Sequence, residues 1–198
     1  MQKLIEGVHR FRNDVFGNYQ TLFHKLSQEG QNPHTLFITC SDSRVPAELI
    51  TQSKPGDLFV VKNVGNIVPP TNATGSTNST AAAIEFAVTM LRVSDVVLCG
   101  HSQCGAMAGL LGAPPVTDAT PRLRDWLGLA APVLDVVANR YAHVAAGSQR
   151  LELAAAENVL FGLDNLYSYP CVQEAVTAAT AAVARLVFQN RHRGAVCL

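Results

Sequence analysis

The chain has 198 residues, 48% apolar and 15% charged, with 15 basic residues balanced by 15 acidic ones. That length and apolar content suit a single α/β domain, residues 1–198, with a sizeable core. There is no Lys/Arg run to suggest a nucleic-acid footprint, no apolar run of the roughly eighteen residues a membrane helix needs, and no apolar core of a signal peptide in Met1-Gln2-Lys3-Leu4-Ile5-Glu6.

Leu4, Val8, Phe11 and Val15 recur at helical spacing and predict an amphipathic helix over residues 4–16. Tyr19, Leu22, Phe23 and Leu26 predict a second short helix, broken by Glu29-Gly30-Gln31-Asn32-Pro33. Thr35-Leu36-Phe37-Ile38-Thr39 is β-branched and aromatic and reads as a buried strand ending at Cys40. A short helix over Pro46–Gln52 and a turn at Lys54-Pro55-Gly56-Asp57 lead to a second strand, Leu58-Phe59-Val60-Val61. Residues 69–80 read as a loop, with Ser79 or Thr80 capping a helix whose apolar stripe is Ile84, Ala87, Val88 and Leu91. Asp95-Val96-Val97-Leu98-Cys99 is the third strand, and a helix starts near Gln103. Beyond a linker at Gly112-Ala113-Pro114-Pro115 the chain reads as mostly helical, including an Ala-rich helix over Leu151–Leu166. Leu186-Val187-Phe188 and Ala195-Val196-Cys197-Leu198 could pair as an edge hairpin. Strands alternating with helices predict a parallel-core β-sheet flanked by helices. In such sheets ligand sites lie at the carboxyl ends of the strands.

Cys40-Ser41-Asp42-Ser43-Arg44 and His101-Ser102-Gln103-Cys104-Gly105 stand at two such ends. Five cysteines without a secretory signal favour metal binding or catalysis over a disulfide framework, with Cys99, Cys171 and Cys197 read as packing residues. Cys40, His101 and Cys104 form a soft donor set that suits zinc. Three donors with one position left over is the pattern of a catalytic rather than a structural site. The fourth position belongs to water or to Asp42, depending on whether Arg44 holds that carboxylate through two parallel hydrogen bonds. The site requires the first and third strands to be adjacent.

These paired motifs resemble those of the β-class carbonic anhydrases, in particular cyanobacterial and plant-type members. The likeness extends through Gly30-Gln31-Asn32-Pro33, Gly56-Asp57-Leu58-Phe59-Val60-Val61-Lys62-Asn63, Ala82-Ala83-Ile84-Glu85-Phe86-Ala87 and Glu157-Asn158-Val159-Leu160. It implies reversible hydration of carbon dioxide to bicarbonate and a proton by zinc-bound hydroxide, with Cys40, His101 and Cys104 as ligands and Asp42 and Arg44 as a catalytic dyad. It further implies that Gln31 reaches across a dimer interface to the partner's substrate. Phe59, Val64 and Phe86 would line an apolar pocket, with the Gly105 backbone near the metal. The N-terminal helices would pack on a partner subunit in a homodimer or higher even oligomer. Carbonyl sulfide or carbon disulfide hydrolysis on the same site, and a noncatalytic zinc-binding structural relative, are the alternative readings. The missing signal points to the cytoplasm, and the cyanobacterial likeness is compatible with carboxysome association. The chain departs from the family pattern at several points. Lys62 stands where Arg is usual, Phe86 replaces a common Tyr, and Ala184 to Leu198 diverges from the usual C-terminal strand. Phe37 and Thr39 replace the Trp and Gly that mark members with a noncatalytic bicarbonate site, so the chain resembles the non-allosteric type.

Overall fold

A computed structural model describes residues 1–72, 78–113, 116–189 and the backbone of 194–197. Part of the predicted 69–80 loop, Pro114-Pro115 of the predicted linker, Leu198 and the Cys197 side chain lie outside the described residues. Five strands form one sheet in the order β2-β1-β3-β4-β5: β1 Thr35–Cys40, β2 Leu58–Asn63, β3 Asp95–His101, β4 Ala182–Gln189 and β5 Gly194–Cys197. The first four are parallel, and β5 runs antiparallel to β4 as the predicted edge hairpin. β1 and β3 are adjacent, with Thr39 opposite Cys99. Every residue of β1 is buried, as expected of a central strand covered on both faces.

The helices differ from the sequence reading in detail. The two predicted N-terminal helices form one unbroken arm: α1 Gln2–Arg10, a π-helical turn at Phe11–Val15 and α2 Phe16–Glu29. No Pro or Gly interrupts residues 8–16, so the change of register is absorbed within the helix rather than by a loop. The helix α4, Ser79–Glu85, is capped by Asn78 rather than by Ser79 or Thr80. Asn78 Oδ1 accepts hydrogen bonds from the Thr80 and Ala81 N–H groups, at 2.9 and 3.3 Å, which is where an N-cap side chain reaches. α4 runs into a second π-helical turn, Phe86–Met90. Short helices α3 (Ala47–Thr51) and α5 (Gly105–Leu110) follow β1 and β3, and α6 (Pro121–Gly128) and α7 (Pro132–Arg140) each begin on a proline at its tolerated first position. α8 Ser148–Tyr167 and α9 Pro170–Thr177 complete the layer.

The helix α8 carries the main core and also fixes the loop after β2. Leu36, Ile38, Val96, Leu98, Val159 and Leu166 are buried in one cluster. From the same helix Asn158 Nδ2 donates to Gly65 O at 2.9 Å and Asn165 Nδ2 donates to Val68 O at 2.8 Å. Tyr169 Oη, just beyond the helix, donates to Pro69 O at 2.8 Å. These buried side chains satisfy carbonyls that a loop crossing the core would otherwise strand, at a cost of about 1–3 kcal/mol each.

Where α8 crosses β3, a Cβ on Gly100 would stand 2.5 Å from Val159 Cγ2. Gly100→Ala is therefore expected to destabilise the fold by about 1–3 kcal/mol through overpacking, measured by urea unfolding. Val159→Ala in the same chain should recover part of that loss. Strict additivity of the two changes would refute the close approach. The Tyr169 hydroxyl is pushed up to about 12 by burial, from an ordinary value of 10.0. The folded state thus holds this proton more tightly, so its contribution is complete below pH 10 and is lost as pH rises through 12. Tyr169→Phe should flatten the decline in unfolding midpoint across that window, and an unchanged decline would exclude Tyr169 as its source.

Candidate metal centre

The carboxyl ends of β1 and β3 deliver three buried donors to one point. The Cys40 and Cys104 sulfurs and an imidazole nitrogen of His101 lie within 4.8 Å of one another. His101 is fully buried and Cys104 nearly so. His101 Nδ1 lies 3.0 Å from Ser102 O, and because a carbonyl only accepts, the proton is on Nδ1 and Nε2 is the donor nitrogen for a metal. Two backbone N–H groups, of Asp42 and Gly65, donate to Cys40 Sγ, each at 3.4 Å. The thiol of Cys40 is driven well below its ordinary value, chiefly by its hydrogen bond with Cys104 and also by His101 and these two amides. The Cys104 thiol is driven up by the same pairing and by burial, so the two sulfurs share a proton when no cation is near. A dication relieves that conflict by taking both as thiolates. Two thiols, an imidazole and backbone amides aimed at one sulfur fit a soft or borderline metal ion.

Gly65 is required here for its backbone. It adopts φ +84°, and a Cβ would stand 2.8 Å from Ala106 Cβ. Asn63 fixes this turn by accepting from Ile67 N at 2.8 Å and donating to Ile67 O at 2.9 Å. Neither residue stood out as a site residue in the sequence. The sequence carries only a Gly65-Asn66 pair shortly after a strand, and both residues adopt positive φ in the fold.

Asp42 stands at the open side of the triangle, with Oδ2 3.8 Å from His101 Nε2. It is turned toward Arg44, whose Nε donates to Oδ1 at 2.9 Å and whose Nη2 donates to Oδ2 at 2.7 Å. The Arg44 backbone N–H adds a third bond to Oδ1 at 2.9 Å. These bonds, the guanidinium's first, hold the Asp42 carboxyl well below the usual carboxylate range. Lys62 Nζ donates to Val45 O at 2.8 Å and so ties the turn that carries Asp42 and Arg44 to β2.

The expected pocket residues separate into two groups. Val64 and Gly105 line a cavity of ≈ 310 Å³ beside the donors, together with Ala106, Leu123 and Leu127. Trp126 Nε1 donates to Val64 O at 2.7 Å and ties α6 to the loop after β2, a contact without a sequence signal. Phe59 and Phe86 pack on each other, with ring centroids 5.8 Å apart, and Phe59 pairs with Leu36 near the amino end of β1. Gln31 lines a hollow with Pro55, Gly56 and Asp57, also at the amino ends of β1 and β2. About 17 Å of strand separates the two ends of β1, so one chain does not bring Gln31, Phe59 and Phe86 to its own Cys40. Of the predicted packing cysteines, Cys99 is fully buried, with its thiol pushed up to about 11 by burial, and Cys171 is partly buried.

Residues 35–196 match the family described as carbonic anhydrase. The chain belongs to the β-carbonic anhydrase family. It is 45% identical to a carbonic anhydrase of Synechocystis sp. over 172 residues, covering 87% of this chain and 61% of that protein. It is 40% identical over 176 residues to a carbonic anhydrase of Pseudomonas aeruginosa, covering 89% of this chain and 77% of that protein. Among solved structures, the β-carbonic anhydrase CcaA superposes with a TM-score of 0.94 at 39% identity, covering 100% of this chain and 94% of that one. A tetrameric β-carbonic anhydrase of Sordaria macrospora gives 0.88 at 31% identity, covering 100% and 95%. The chain spans about three fifths of the length of the cyanobacterial relatives it matches.

Metal binding at this triangle links to stability, because the unfolded chain has no preformed site. At a metal concentration of 1,000 times Kd the bound ion contributes about 4 kcal/mol, on the order of 10 °C for a chain of this size. Chelation should lower the melting temperature by that order, and Cys40→Ala should remove the chelator-sensitive part. A melting temperature indifferent to chelator in metal-loaded protein would exclude the site.

Proposed function

We propose that the chain catalyses the reversible hydration of carbon dioxide to bicarbonate and a proton, with zinc held by Cys40, His101 and Cys104. The observation that carries this reading is the buried thiol–imidazole–thiol triangle with its fourth ligand position open because Arg44 holds Asp42. Zinc bound there would supply Lewis acidity, yielding a hydroxide nucleophile near neutral pH. The chain's residues do the rest. Ionised Asp42 can only accept a hydrogen bond, so it orients the O–H of a water entering beside His101 and aims its lone pair at the substrate carbon. Val64, Ala106, Leu123 and Leu127 give an apolar wall suited to an uncharged linear molecule, with the Gly105 backbone beside it. Arg44 keeps the carboxylate ionised and off the metal.

Gln31, Phe59 and Phe86 complete the pocket from a second copy of the chain. Two observations support this: their placement at the far ends of the strands, and the character of the arm. None of α1, its π turn or α2 contains a buried residue, yet Leu4, Ile5, Val8, Phe11, Phe16 and Tyr19 are exposed apolar side chains. An arm with that stripe is covered by a partner, and a homodimer with isologous contacts is the simplest closed arrangement.

The zinc-replete protein is expected to hydrate carbon dioxide in stopped-flow assays, with Asp42→Ala lowering kcat by at least about tenfold. Absence of hydration from pH 7 to 9 would end the assignment. Cross-subunit action has its own test. Asp42→Ala and Gln31→Ala chains, each poorly active alone, should recover roughly a quarter of wild-type activity when unfolded together and reassembled in equal amounts, since half the dimers then carry one intact site. No recovery on mixing would place Gln31 outside the partner's site.

A further inference from the structure

Gln103 stands between the candidate ligands His101 and Cys104, and its backbone is left-handed, at φ 55°. A non-glycine residue holds that conformation only where its surroundings impose it. Its side chain offers no compensation, because Nε2 is buried without a hydrogen-bond partner among the described residues. What the conformation does deliver is the carbonyl oxygen, which accepts a hydrogen bond from Arg44 Nη2 at 3.0 Å. The same nitrogen donates to Asp42 Oδ2 at 2.7 Å. Arg44 is half-exposed, and an exposed ion pair on its own has little hold on geometry. With Nη2 shared between Gln103 O and Asp42 Oδ2, the planar guanidinium has its rotation fixed from two directions.

We infer that Gln103 is a positioning residue for the dyad: its left-handed backbone aims its carbonyl at Arg44 and so keeps Asp42 on Arg44 rather than on the metal. The inference rests on the reading of Asp42 and Arg44 given under the proposed function. It makes the loop that supplies two of the three metal donors also the anchor of the gate. Loop geometry set at His101 and Cys104 is thereby passed to Asp42 through one carbonyl.

The test separates backbone from side chain. Gln103→Gly and Gln103→Asn tolerate left-handed φ, whereas Gln103→Val, being β-branched, opposes it. The readout is titration of the cobalt-substituted protein with azide, followed in the visible bands, since azide reports whether the metal's fourth position is open to an added anion. Gln103→Gly and Gln103→Asn are expected to bind azide within about twofold of wild type, and Gln103→Val about tenfold more weakly, as Asp42 competes for the metal. Adding Asp42→Ala to Gln103→Val should restore the affinity of Asp42→Ala alone. Three results would overturn the inference: wild-type affinity in Gln103→Val, equal impairment in Gln103→Gly, or a defect that persists without Asp42. If Gln103→Val fails to take up cobalt, Gln103→Ala replaces it, with the same direction expected relative to Gln103→Gly and the same criteria. Failure of the underlying dyad reading shows separately, as Asp42→Ala leaving both hydration and azide affinity unchanged.

Discussion

The parallel pairing of β1 with β3 brings together the three donors of the candidate metal centre. Thr39 opposite Cys99 places Cys40 beside the end of β3, where the chain turns through His101 to Cys104. A slip of one residue would carry the Cys40 side chain to the other face of the sheet. The register is protected from both sides. Leu36 and Ile38 are buried in the α8 cluster, while Phe37 is buried on the opposite face with Cys99. Thr39 adds a buried hydrogen bond from Oγ1 to Cys99 O at 3.0 Å. The candidate metal site is thus built on a strand pair held by burial on both faces, and the tethers of α8 reach from the same core to Gly65.

Electrostatics at the centre involves a competition that the fold resolves by geometry. Two thiols and a carboxylate converge on one point, and in a buried site such groups cannot all be ionised without a cation. Backbone amides favour charge on Cys40, and Arg44 favours charge on Asp42. Arg44 thereby does two things with one group: it keeps the carboxylate ionised and turns it aside. Hydrogen bonds to Arg44 from elsewhere in the chain have leverage out of proportion to their number, because they act on the residue that decides where Asp42 points.

The strands and the two metal motifs were legible because they rest on local signals: β-branched runs, turn residues and the positions of Cys and His. The donor triangle followed once β1 and β3 were adjacent. The unreadable features depend on long-range placement. The single helical arm reads as two helices because its amphipathic stripe shifts phase at Phe11–Val15, and a π turn that absorbs such a shift leaves no mark in composition. Asn78, Ser79 and Thr80 are all good caps, and only the position of the helix start decides among them. Trp126, Asn158 and Gln103 act through contacts spanning many residues, to Val64, Gly65 and Arg44, which no spacing rule predicts.

The separation of Gln31, Phe59 and Phe86 from Cys40 follows from the same parallel topology that gathers the donor triangle. Parallel strands put all their carboxyl ends on one side, so residues preceding β1 and opening β2 are necessarily distant from the metal. Gln31 and Phe59 lie at those opposite ends, and Phe86 is held there by packing on Phe59. A chain of this topology cannot fold these residues onto its own site without breaking the sheet. A two-fold related copy can present its amino-end residues to the other's carboxyl end while each sheet stays intact. Under the proposed function, the exposed apolar arm and the far-side residues would be two consequences of one arrangement, in which the donor triangle and Asp42–Arg44 belong to one chain and the complete pocket to a pair.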